Sequence, residues 1–147
     1  MSALKKTTQT TQTDVEALEE TMAQYPQVDL EVDHYFSDGL YGRAMYIPAG
    51  VALTGKAHKR DHLNFLLKGK ITVMTDAGMQ TIEAPKIIPA TKGIKRAGFA
   101  HSDVIWVTVH ATEATDPDEA EAELVEPLSP VITQMLEQNK IKLEDSL

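Results

Sequence analysis

Between residues 28 and 112 the chain is a succession of short β-forming segments, each closed by a turn signal. VDLEV, starting at Val28, alternates apolar and acidic residues. LYGRAMYI, Leu40–Ile47, lies between Asp38-Gly39 and Pro48-Ala49-Gly50. Residues 63–67 and Lys70–Thr75 read as two strands joined by a tight turn at Lys68-Gly69. Asp76-Ala77-Gly78 turns into a strand over 79–84, and further strands are predicted at 87–88, 95–100 and 104–110. Strands this short and turns this regular predict a mainly β domain, a small barrel or sandwich, over 28–112.

The flanks read differently. Residues 1–12 are Thr, Gln and Lys with little apolar content. Asp14 is placed to cap a helix over 15–24, which Tyr25-Pro26 ends because the residue before proline avoids helical geometry. Residues 1–27 are therefore expected to be a polar tail with one short helix. Beyond Thr112, Asp116-Pro117 and Ser129-Pro130 look like helix starts, so 113–147 reads as an acidic, partly helical extension. At 147 residues the chain has room for one domain with a sizeable core.

Charge and composition exclude several classes. The absence of cysteine excludes disulfides, thiolate metal sites and cysteine nucleophiles. No stretch approaches the roughly 20 apolar residues of a membrane helix, and the N-terminus lacks the apolar segment of a secretory signal. The lack of cysteine fits a reducing cytoplasm, which is the expectation from composition. The net charge of −8 argues against general nucleic-acid binding. That charge is unevenly distributed: residues 112–126 carry seven acidic groups and no basic one, whereas 56–70 carry five basic groups and only Asp61 as an acid.

Gly50, five residues, Lys56-x-His58, three residues, His62, six residues and Gly69 fill one ungapped frame, and Thr91-x-Gly93-x-x-Arg96 fills a second. These frames resemble the two signatures of the cupins. The wording of GLYGRAMYIPAG, LTGKAHKRDHLNFLLKGKITV, KGIKRAGFAHSD and WVTVHATEATD is similar to cupin-like proteins of tailed phages and prophages. The resemblance implies a cupin-type β-barrel (jelly roll) and, by the habit of such barrels, a homo-oligomer. It also implies that Lys56, His58, His62 and Arg96 occupy the places where a metal-binding cupin usually offers three histidines and a glutamate. Two of those four are cations that repel a metal ion, which makes a divalent metal cofactor the less favoured expectation.

Two fixed cations in a partly dry cavity are costly unless an anion or an acidic partner neutralises them, and arginine's planar fork suits phosphate or carboxylate. The leading expectation is thus a binding protein for a small anionic molecule, nucleotides included, with Lys56, His58, His62, Arg96, Trp106 and His110 as candidate ligand-binding residues. Alternatively, Lys56 and Arg96 reach solvent at the barrel mouth and the histidines are hydrogen-bonded barrel residues. Alternation over 104–110 puts Trp106, Thr108 and His110 on one face, and leaves open whether Trp106 stacks on a ligand or fills the core. Tyr41, Arg43 and Met45 share a face, and Arg43 either adds to the basic pocket or serves the surface. A virion structural or assembly role, with contacts to virion proteins, is one competing function. A metal enzyme using His58, His62 and His110, or His101, is another. No catalytic residue is assigned.

Overall fold

The computed structural model describes residues 12–127, together with Pro130, Gln134 and residues 140–141. Its strands are β1 (Gln27–Val28), β2 (Glu31–Ser37), β3 (Leu40–Ile47), β4 (Ala52–Thr54), β5 (His62–Lys68), β6 (Lys70–Thr75), β7 (Gly78–Glu83), β8 (Lys86–Ala90), β9 (Ala97–Ala100), β10 (Val104–Ala111) and β11 (Lys140–Ile141). Helices α1 (Gln12–Met22) and α2 (Pro117–Leu124) flank them. One sheet runs β2-β3-β10-β5-β8 and a second runs β4-β9-β6-β7, and the strand pairs within both are antiparallel.

Ile47, Leu66 and Val104 from the first sheet meet Ile71, Val73 and Ala100 from the second in one buried cluster. The expected barrel is therefore realised as two facing sheets around a shared core, a jelly-roll sandwich. Partners such as β3 with β10 and β10 with β5 lie far apart in sequence, so the sheet order follows from burial and not from local turns.

The Lys68-Gly69 turn does join β5 to β6, but the two strands belong to different sheets, so it is a corner and not a hairpin. Gly69 has φ +90°, and a Cβ there would stand 2.2 Å from the Asp103 carbonyl oxygen. Only glycine fits that approach. The short strand β4 has no counterpart in the sequence reading, because ALT is too brief to show a period.

Helix α1 starts earlier than expected, at Gln12, which puts Asp14 inside the helix and not at its cap. Val15 is only 1% exposed and packs on Met74 and Ala97. Lys95 Nζ lies 2.6 Å from Glu19 Oε1, tying the helix to the loop before β9. Helix α2 begins where the sequence places it. The Asp116 side chain accepts the Glu119 N–H at 2.9 Å and Pro117 occupies the first turn. Ala120 and Leu124 pack against Tyr41 and Ala114. The acidic run therefore folds onto its own sandwich. Apart from Pro130, Gln134 and Lys140, the segment expected to follow Ser129-Pro130 as a helix lies outside the described residues, as does the polar tail over 1–11.

Candidate functional site: a three-histidine cluster

Register fixes which side chains share the inner face of the five-stranded sheet. Val32, Met45, Trp106 and Leu66 form one row across β2, β3, β10 and β5. His34, Arg43, Thr108, Asn64 and Ile88 form the next. Phe36, Tyr41 and His110 begin a third, and the same register carried one residue on sets His62 beside His110. The inner face thus grades from apolar, through a buried Thr108 Oγ1 to Asn64 Oδ1 hydrogen bond of 3.0 Å, to a pair of histidines.

His58 completes the group from the loop before β5. Its backbone bridges Val125, Lys59 N–H donates to the Leu124 carbonyl at 2.7 Å, and Glu126 N–H donates to the Ala57 carbonyl at 2.8 Å. The end of α2 therefore holds the loop that presents His58. The three rings stack with centroids 4.3 to 4.8 Å apart. His58 Nδ1 and His110 Nε2 are 2.8 Å apart, so one of them is protonated and donates to the other. His62 Nδ1 lies 3.1 Å from the Arg60 carbonyl oxygen. A carbonyl only accepts, so Nδ1 carries the proton and the Nε2 lone pair of His62 is left for another partner.

Burial is the main reason these imidazoles stay neutral. It lowers His58 to about 3, helped by the neighbouring His62 and His110, and lowers His110 to about 4, with His62 and Arg60 adding to the effect. His62 is lowered as well, again chiefly by burial. Three neutral imidazoles are a suitable donor set for a transition metal. One nitrogen from each lies within 4.8 Å of the others. Nitrogens sharing an ion at about 2.1 Å sit roughly 3.0 to 3.4 Å apart, so small ring rotations suffice. His62 already has the outer hydrogen bond that fixes a ligating ring. The residues fit a metal.

The other candidates fall elsewhere. Lys56 Nζ bonds Glu121 at 2.6 Å on an exposed rim, and that pairing holds the Glu121 carboxyl below its usual range. Arg96 borders the cluster closely enough for its charge to disfavour protonation of His58 and His62. It is nevertheless bound to Asp76 and to the Met74 carbonyl. Arg96 and Thr91 together hold Asp76 below the usual carboxylate range. Lys56 and Arg96 are therefore neutralised by acidic partners from distant segments and do not by themselves call for a bound anion. Trp106 faces inward but packs against the apolar core, two inward positions from His110. His101 follows the end of β9, with its Nε2 2.6 Å from Thr72 Oγ1, and lies outside the cluster. Asp61 accepts the Lys92 N–H and Asp103 the Ala49 N–H, both structural roles. The counter-ions Asp76 and Glu121 were not singled out in the sequence, where nothing local links either to its cation.

Neither a protein-family model nor a curated protein sequence matches the chain. Among solved structures it is similar to KdgF from Halomonas sp., with 10% identity and a TM-score of 0.50 over 59% of this chain and 81% of that one. It is also similar to a cupin superfamily protein of Desulfitobacterium hafniense, at 10% identity and a TM-score of 0.49 over 56% of this chain and 77% of that one. An RmlC-like cupin family protein of Methanocaldococcus jannaschii gives 12%, 0.48, 58% and 82% for the same quantities. The fold is a cupin-type jelly roll. Identities this low speak to the fold alone. His58 and His62, which fall in the frame that resembles a cupin signature, meet in the fold, and His110 supplies the third imidazole.

Proposed function

We propose that this cupin domain binds one divalent transition-metal ion through His58, His62 and His110. The convergence of three neutral imidazoles on the inner face carries the reading. All-nitrogen donors favour zinc, iron, nickel or copper over magnesium or calcium, which prefer oxygen. A bound ion would supply Lewis acidity at whatever positions the protein leaves open. The chain's own residues do the rest. The Arg60 carbonyl orients His62, the α2 end holds His58, and the Thr108–Asn64 layer separates the site from the apolar core. A small anionic guest is best accommodated at such an ion, since Lys56 and Arg96 are already neutralised within the chain.

The test is elemental analysis and cobalt(II) titration of the full chain. One ion per chain is expected, lost in His58→Ala, His62→Ala and His110→Ala while the circular dichroism spectrum persists. Uptake far below one equivalent, or equal uptake by the three variants, refutes the reading.

A further inference from the structure

We propose that Arg43 anchors the carboxylate of a small ligand whose second oxygen donor takes an open position of the three-histidine metal site, an inference that rests on the metal reading above. Register turns Arg43 inward beside Thr108, one row from His110 and on the strand next to it. With strands about 4.8 Å apart and two residues spanning about 6.8 Å, its Cα lies roughly 8 Å from that of His110. A guanidinium on a four-bond arm covers most of that gap. Its charge is felt at His58 and at Tyr41.

The other two arginines are matched with acids, Arg60 with Glu123 at 3.0 Å and Arg96 with Asp76, as are Lys56 with Glu121 and Lys95 with Glu19. Among the described residues Arg43 forms no ion pair, although it is half-buried. Glu121 feels it only at range and is bound to Lys56. On β2, the sheet's edge strand, the neighbour in its row is the exposed His34, so the row leads to solvent.

A single unmatched fork fits one singly charged planar head, which is a carboxylate. A phosphate dianion calls for more donors than one arginine offers. The ligand class is therefore a small carboxylic acid carrying a second carboxylate, a hydroxyl or a carbonyl a few atoms away.

Cobalt(II)-loaded full chain, its metal content measured first, is titrated with the unbranched dicarboxylates from oxalate to glutarate, with malonamide and with inorganic phosphate. The cobalt absorption bands report binding. At least one dicarboxylate is expected to shift them, with affinity falling tenfold or more in Arg43→Gln, less in Arg43→Lys, and metal content unchanged in both. Absence of cobalt uptake sinks the metal reading before any ligand is added. Normal uptake with no dicarboxylate response, an Arg43→Gln affinity equal to the parent's, an equal loss for malonamide, or tighter binding of phosphate overturns the Arg43 assignment alone.

Discussion

Lowering the pH of metal-free protein should destabilise it well before its carboxylates titrate. The folded state holds His58 at about 3 and His110 at about 4, whereas an unfolded histidine titrates near 6.5. Between these values the unfolded chain binds protons that the folded chain refuses, so stability is fully present above 6.5 and falls as pH drops towards the folded values. Each imidazole held neutral removes about 1.4 kcal/mol per pH unit in that window. From pH 6.5, where the unfolded ring is half protonated, to pH 5 the two together would remove about 3 kcal/mol; halving the share of the incompletely buried His58 leaves about 2.5. For a domain of this size that is a fall in Tm of roughly 10 °C. Thermal unfolding followed by circular dichroism, on apo protein from pH 7.5 to 5, measures it. The His58→Gln/His110→Gln variant, polar but unable to titrate, should lose most of the slope. A flat parent profile, or an equal slope in the variant, would refute the claim that burial keeps these rings neutral. Bound metal should deepen the acid sensitivity of the loaded form, since protons compete for the same nitrogens.

Other outcomes follow from single contacts. Gly69→Ala places a Cβ 2.2 Å from a carbonyl oxygen at φ +90° and should cost about 3 kcal/mol or more in urea unfolding; a loss under about 1 kcal/mol would mean the corner relaxes freely. Lys95→Ala strands the buried Glu19 and should cost about 2 kcal/mol, with α1 losing amide protection in hydrogen exchange before the sheets do. Lys56→Ala breaks only an exposed pair, so Tm should move by no more than about 2 °C and metal content not at all. Lost metal in that variant would return Lys56 to the site.

Much of the strand inventory was legible because it depends on local chemistry. β3 over Leu40–Ile47 and β6 over Lys70–Thr75 stand where β-formers and turn residues put them, and α2 starts at the Asp116-Pro117 cap. Alternation correctly grouped Trp106 with Thr108 and His110, and Tyr41 with Arg43. It could not say which face was inner, because the outer face of this sheet is apolar too. The sequence by itself determined the mainly β class and the short list of histidines, since spacing and turn chemistry are properties of neighbours along the chain, while the jelly roll came from the resemblance to the cupin signatures. Only the tertiary structure decided that His110 joins His58 and His62, and that Arg96 meets Asp76 and Lys56 meets Glu121. Those encounters bridge 20 to 65 residues of chain, so they are set by how the sheets and α2 pack and not by any local signal.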